Sequence, residues 1–243
     1  MDGNTLMWME VGFSVLYLIL IWTLVVVMRV HFDRVDEKDH RVANLLWVAF
    51  FSLAFGDTFH VGARIISYFL KGGLDATIQV FGTSYGIVGW SALITAVTVT
   101  IFYLFFLVTW IVCNQGQASA FVYFLFTVAG IRLGLLVLPE NQWNQPTPVQ
   151  PWYMIRNLPF LILGIGVAAL YLKMAVTKKD RTSMWIGILI LFSFLTYLPI
   201  VVLIQANQLL GMLMIPKTIA YLGMGALIYN DLYRSPSSPK TRG

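Results

Sequence analysis

Long apolar runs restrict the fold of this chain more than any motif does. A helix needs roughly 20 largely apolar residues to cross a bilayer, and the runs here are that long and continuous, without the alternation of a membrane β-barrel. The composition is 58% hydrophobic and 11% charged, far too apolar for an ordinary soluble domain. The sequence therefore predicts an all-α, multi-pass membrane protein whose residues 1–234 form a single seven-helix domain, followed by a disordered tail at 235–243. The predicted spans lie near 11–30, 42–70, 85–113, 118–139, 152–174, 183–205 and 208–231.

The distribution of basic residues predicts the topology. Lys and Arg occur in the connection 31–41, in the connection 175–182 and in the tail, whereas the alternate connections are poor in them. By the positive-inside rule, the N-terminus is predicted outside the cell membrane and the C-terminus in the cytoplasm. Because the basic residues lie between spans and not on a soluble domain, we expect membrane lipid as a partner and no nucleic acid. The sequence leaves open whether the chain forms a homo-oligomer.

Three ionisable residues interrupt the second apolar run. Asp57, His60 and Arg64 are spaced to share one face of a helix, and Asp57 is predicted about 24 Å beyond Arg41, past the middle of the membrane. Ionisable groups inside a bilayer are costly unless they face a partner or a watery cavity. The segment therefore predicts either a functional site or a buried ion pair that fixes the packing.

Further polar residues are predicted in the same outer half. Arg132 should lie about 21 Å beyond Ala118, in the fourth helix, and Lys217 about 12 Å into the seventh. Arg156 and Tyr197 fall at the outer ends of the fifth and sixth helices, and three rim residues lie in the adjoining loop, namely Glu140, Asn141 and Trp143.

Cations outnumber acids in this predicted group, so its field should be positive. We expect a hydrated pocket, open to the outside, that suits a carboxylate, a phosphate or a lipid headgroup. The alternative is a set of buried ion pairs that specifies the bundle and binds nothing. Gly130 and Gly134, on either side of Arg132, predict close approach of the fourth helix to another helix.

The residues alone support an enzyme less well than a binding protein. His60 is the one histidine within the apolar runs and Cys113 the one cysteine, so a complete zinc site is not expected. Asp57 and His60 are spaced to form an acid–base pair. The run Phe51-Ser-Leu-Ala-Phe-Gly-Asp57 is similar to a Gly-Asp segment of the lysoplasmalogenase family, which implies a membrane lipid hydrolase using Asp57 and His60.

Two broader resemblances remain. A lysine in the seventh helix, Lys217, and the Tyr197-Leu-Pro199 feature in the sixth look like the microbial rhodopsins, which implies retinal on Lys217 with Asp57 as its counterion, since the third helix has no carboxylate.

Four motifs together resemble those of uncharacterised seven-helix bacterial membrane proteins, a resemblance that implies fold and compartment but no activity. These motifs are Gly56-Asp57-x-Phe59-His60, Arg132 with Leu138-Pro139-x-Asn141-x-Trp143, Arg156-Asn157-x-Pro159 and Met214-Ile-Pro216-Lys217. The sequence thus favours a sensor or binding protein for a small or lipidic anion over an enzyme, and predicts no cofactor other than the alternative of retinal.

Overall fold

The described part of the chain is almost entirely helical. The computed structural model describes residues 3–80, 83–203 and 212–234, and 84% of the model is helix. The prediction of an all-α protein is confirmed, whereas the predicted tail at 235–243 lies outside the described residues. The helices are α1 Gly3–Val30, α2 His40–Phe69, α3 Ile87–Cys113, α4 Ala120–Leu136, α5 Trp152–Lys178, α6 Arg181–Leu203 and α7 Met214–Leu232.

Five helices in these ranges are long and apolar enough to cross a membrane. They are the segments Val11–Val30, Glu37–Phe69, Ile87–Cys113, Trp152–Lys178 and Arg181–Leu203. α4 is apolar but has only 17 residues, and α7 has 19. Transmembrane helices are therefore supported by length and composition.

Helices α2 and α3 pack in close contact. The Thr95 hydroxyl donates to the Gly56 carbonyl oxygen over 2.7 Å, and a Cβ added at Gly56 would lie 1.8 Å from Thr98 Oγ1. A side chain at position 56 would therefore force the two helices apart. Because Asp57 follows Gly56, this pairing also fixes the position of the carboxylate.

Aromatic side chains fill the interior of the bundle. Phe50, Phe102 and Phe106 are fully buried, with the rings of Phe50 and Phe102 in edge contact at 5.4 Å. Tyr103 and Phe160 continue this packing with ring centroids 5.5 Å apart. The core therefore connects α2, α3 and α5 through rings, which also provide faces for cations.

The two ends of the bundle differ in charge, and we call the end with the connections 31–41 and 175–182, where Lys and Arg are concentrated, the basic end. At the basic end, the His31 ring bonds the Tyr229 hydroxyl over 2.7 Å, Tyr233 donates to the Ala43 carbonyl, and Lys178 donates to the carbonyl of Cys113. These contacts bring together the ends of α1, α3, α5 and α7 with the start of α2. The loop 137–151 lies at the opposite end, which we call the hairpin end because it also contains a β-hairpin.

The hairpin end contains a small β-hairpin. Strands β1 Thr77–Val80 and β2 Thr83–Gly86 pair antiparallel, whereas the sequence predicted residue 85 as the start of a span. The β-branched residues of Thr77–Val80 favour strand, a signal too short to separate from a loop. A Cβ at Gly89 would lie 1.9 Å from the Trp143 carbonyl oxygen, so the loop packs directly on the start of α3.

The predicted role of Gly130 and Gly134 is not observed. Both glycines are exposed, and among the described residues no neighbouring atom lies within 4 Å of a Cβ added at either. The expectation of close packing at these two positions within the chain was therefore wrong. The buried side of α4 carries Leu125, Ala129 and Arg132 instead.

Candidate functional site

Asp57 is held by a tyrosine from the first helix. The hydroxyl of Tyr17, a side chain only 2% exposed, donates to Asp57 Oδ2. One residue further along α2, Thr58 Oγ1 accepts a 2.8 Å hydrogen bond from the Trp22 indole. The carboxylate is therefore fixed between α1 and α2, with a hydroxyl donor already directed at it.

Lys217 extends from the first turn of α7 into the bundle. Its Nζ lies 3.8 Å from the centroid of the Tyr197 ring, 5.8 Å from that of Phe160 and 5.9 Å from that of Tyr221. It also interacts electrostatically with Asp57. The ammonium group is therefore surrounded by ring faces in range of the α2 carboxylate.

Arg132 is the largest fully buried side chain of the described residues, with 1% of its surface exposed. Its guanidinium carbon lies 3.6 Å from the centroid of Phe160, the ring that Lys217 also approaches. Within the described part of the chain, its Nε and Nη1 atoms are buried and find no hydrogen-bond partner. Buried donors are almost always satisfied in folded proteins, so two such atoms on one charged group require an explanation.

Tyrosine hydroxyls surround the two cations. The hydroxyls of Tyr103 and Tyr221 lie 3.4 Å apart, and both residues interact electrostatically with Arg132. The Tyr197 hydroxyl donates to Asn157 Oδ1 over 2.9 Å. We call the resulting set the ionic cluster; its members are Tyr17, Asp57, Tyr103, Arg132, Phe160, Tyr197, Lys217 and Tyr221.

The ionic cluster carries an unbalanced formal charge. Arg132 and Lys217 contribute two positive charges and Asp57 one negative charge, which leaves an excess of one positive charge. The rings of Phe160 and Tyr197 attract the cations through their quadrupoles but do not neutralise them. Arg156 adds to this positive field because it interacts electrostatically with Arg132, and the cluster therefore favours an anion.

Arg156 belongs to a second cluster at the hairpin end. Its guanidinium carbon stacks 4.0 Å over the Trp143 ring, and its Nη1 donates to Asn141 Oδ1 over 3.0 Å. Asn141 in turn donates to the carbonyls of Leu135 at 2.7 Å and Leu138 at 2.9 Å. This loop clamp, formed by Asn141, Trp143 and Arg156, ties the loop 137–151 to α4 and α5.

Three further predicted residues are Glu140, His60 and Arg64. Glu140 is exposed on the loop, next to the clamp. His60 and Arg64 are partly buried on α2, toward the hairpin end from Asp57. The structure thus brings together Asp57, Arg132, Tyr197 and Lys217. Arg156, which contacts Asn141 and Trp143, also interacts electrostatically with Arg132 and Tyr197, so the two groups adjoin.

Two cavities lie near these residues. One, of about 30 Å³, adjoins the loop clamp and is lined by Asn141, Trp143 and Arg156 among others; the other is a groove of about 310 Å³ between α5 and α6. Neither is lined by Asp57, Arg132 or Lys217. Among residues 3–80, 83–203 and 212–234, no group of three or more His, Cys, Asp or Glu is placed to hold a metal ion.

Sequence reasoning missed the aromatic members of the cluster. Tyr17, Phe160 and Tyr221 lie in apolar runs, where an aromatic residue is indistinguishable from ordinary core. The sequence shows Tyr17 as a polar residue within the first apolar run, but it does not show that Asp57 on α2 is its partner.

Comparison of the chain with protein-family models, with curated protein sequences and with solved structures finds no match.

Proposed function

We propose that the chain is a seven-span protein of the cell membrane, with its N-terminus outside and its C-terminus in the cytoplasm. Five helices have the length and composition of spans. α4 and α7, with 17 and 19 residues, extend about 26 and 28 Å, close to the hydrocarbon thickness of about 30 Å. The basic end then faces the cytoplasm, in accord with the positive-inside rule.

Cysteine labelling tests this orientation. In a Cys113→Ser background, we expect Glu140→Cys to react with a membrane-impermeant maleimide on intact cells, because Glu140 is exposed at the hairpin end. Arg181→Cys, exposed at the start of α6, should react only after permeabilisation. The reverse pattern would contradict the proposed orientation.

We also propose that the protein binds a small or lipidic anion at the ionic cluster and acts as a sensor or binding protein. The observation that carries this proposal is Arg132, whose buried guanidinium keeps two nitrogens without a hydrogen-bond partner among the described residues. A buried donor left unsatisfied costs about 1–3 kcal/mol. An anion that accepts hydrogen bonds from the guanidinium reduces this cost and neutralises the excess charge.

The other cluster members suit the same ligand. Lys217, which shares the Phe160 ring with Arg132, supplies a second charge, and the hydroxyls of Tyr103 and Tyr221 can donate. Charge-assisted hydrogen bonds to an anion are roughly twice as strong as neutral ones. A carboxylate or another oxyanion therefore matches both the sign of the charge and the donors of the cluster.

Anion-dependent thermal stabilisation tests the binding proposal. We expect acetate or formate, each at millimolar concentration, to raise the melting temperature of the purified protein, because a ligand that binds only the folded state stabilises it. Arg132→Gln and Lys217→Met should abolish this shift. Arg181→Gln, which removes a cation at the basic end, is the matched control and should retain it.

Two outcomes would contradict the proposal. If neither these carboxylates nor inorganic phosphate shifts the wild-type melting temperature, the cluster does not bind such anions. If Arg132→Gln retains the full shift, the anion binds elsewhere. Product formation from phospholipid or lysolipid that is lost in Asp57→Asn would instead support the lipid hydrolase.

The retinal alternative has its own test. If Lys217 serves the anion site as proposed, all-trans retinal added to the purified protein should retain the spectrum of free retinal. A red-shifted band that disappears in Lys217→Ala would establish a Schiff base and replace the anion proposal.

A further inference from the structure

A groove between α5 and α6 opens toward the outer surface of the bundle. Its volume is about 310 Å³, and Met154 and Leu158 of α5 line it together with Leu198 and Val202 of α6. These four side chains are exposed and belong to two helices with the length and composition of membrane spans. The apolar groove therefore faces hydrocarbon when the chain lies in a bilayer.

Asn157 and Tyr197 are the polar residues of the groove. They are joined by the 2.9 Å hydrogen bond from the Tyr197 hydroxyl to Asn157 Oδ1. Both side chains are buried, so they form the inner wall. A polar pair at this depth gives the groove a chemically distinct inner end.

Tyr197 also belongs to the ionic cluster. The same ring that lines the groove lies 3.8 Å from Lys217 Nζ, and Lys217 and Arg132 both approach Phe160. One aromatic side chain is thus shared by the lipid-facing groove and the positively charged interior.

We propose that the groove holds the hydrocarbon chain of a single-chain amphiphilic carboxylate, of the fatty acid class, whose carboxylate binds in the ionic cluster. This inference rests on the proposed anion-binding function and specifies its ligand. The net positive charge of the cluster favours an anionic head such as a carboxylate. The groove volume lies at the lower end of the range of about 300–1,000 Å³ typical of ligand pockets, which favours one chain over the two chains of a phospholipid.

The ligand enters from the bilayer by way of Tyr197. Movement of this ring away from Asn157 opens the groove to the cluster, and the freed hydroxyl then donates to the incoming carboxylate. Because lipid tails are as apolar as the groove, the chain gains little by moving from lipid to protein. The cluster therefore supplies the affinity and the groove determines which chain reaches it.

Thermal stabilisation with three matched probes tests the arrangement. Acetate carries the head alone, dodecanol the chain alone, and dodecanoate both. We expect acetate and dodecanoate to raise the melting temperature of the wild type, dodecanol to raise it little, and Lys217→Met to abolish both carboxylate effects.

Filling the groove separates the chain from the head. Leu158→Trp should greatly reduce the dodecanoate shift while the acetate shift is retained, which also shows that the variant is folded. Leu195→Trp, on an exposed residue of α6 that does not line the groove, is the control and should behave as the wild type. Val202→Trp is a second groove-filling variant if Leu158→Trp does not fold.

The outcomes distinguish this inference from the proposed function. If Leu158→Trp and Val202→Trp, folded by the acetate criterion, both keep the full dodecanoate shift, the groove does not hold the chain but the anion site stands. If dodecanoate binding is lost on filling the groove yet retained in Lys217→Met, the head does not bind in the cluster and the inference is overturned. If no carboxylate stabilises the wild type, both proposals are wrong.

Discussion

Replacement of Arg132 by methionine should stabilise the protein in the absence of ligand. The substitution removes two buried nitrogens that lack a hydrogen-bond partner among the described residues, each costing about 1–3 kcal/mol. It also removes the contact with Phe160 at 3.6 Å, which contributes about 2 kcal/mol when desolvated. The difference is a gain of roughly 0–4 kcal/mol, and a gain of about 2 kcal/mol corresponds to a rise of roughly 4–8 °C in melting temperature.

Arg156 provides the matched control because its guanidinium donates a hydrogen bond and, among the described residues, has no buried nitrogen without a partner. Arg156→Met breaks the 3.0 Å bond to Asn141 and the stack on Trp143 at 4.0 Å. A hydrogen bond to a charged group contributes about 1.5–3 kcal/mol, so this variant should lose roughly 2–4 kcal/mol once the cation–π contact is included. The same substitution is therefore expected to have opposite effects at the two arginines.

Melting temperatures measured in one detergent, at low salt and without added carboxylate, compare the three proteins. Competing anions must be kept at low concentration, because any anion bound by Arg132 would stabilise the wild type and mask the gain in melting temperature. A fall in Arg132→Met as large as that in Arg156→Met would refute the reasoning, since it would show that the Arg132 guanidinium stabilises the empty protein.

Two further perturbations address the packing of the site. Gly56→Ala should lower the melting temperature because its Cβ would meet Thr98 Oγ1 at 1.8 Å. Gly62→Ala should leave it unchanged or raise it, because no neighbouring atom of the described residues lies within 4 Å of the added Cβ. Equal effects would contradict the close α2–α3 contact. A double-mutant cycle of Tyr17→Phe and Asp57→Asn should give a coupling of about 0.5–3 kcal/mol in unfolding free energy, because Tyr17 donates to Asp57. Additive effects would show that this hydrogen bond contributes nothing to stability.

Apolar runs and ionisable residues were the most informative features of the sequence. The runs predicted helices because a bilayer leaves few other ways to satisfy backbone hydrogen bonds. Charges inside the runs are costly in lipid, so Arg132 and Lys217 were expected to face the interior, and the structure places both against the ring of Phe160. A single sequence therefore indicates where a charged side chain must lie when its exposure to lipid would cost a large free energy.

Pairings between helices were much less predictable. Arg156 was expected near the other cations, and it does interact electrostatically with Arg132. The sequence did not show that its stacking and hydrogen-bond partners, Trp143 and Asn141, come from the neighbouring loop. Gly130 and Gly134 have the spacing of a packing motif, yet they face the surface of the chain. Spacing along one helix fixes which residues share a face, but the identity of the neighbour depends on how the whole bundle assembles.

The charge imbalance of the ionic cluster also bears on the alternative that its residues only specify the bundle. A structural network of buried charges is stable when each charge is paired and its hydrogen-bonding groups are satisfied. In the loop clamp, Arg156 donates a hydrogen bond to Asn141, whereas Arg132 has an aromatic face and two nitrogens that lack a hydrogen-bond partner among the described residues. Lys217, the nearby second cation, increases the repulsion that Asp57 alone must offset. An anion supplied by the surroundings removes this imbalance, and we therefore favour a ligand site over a purely structural role.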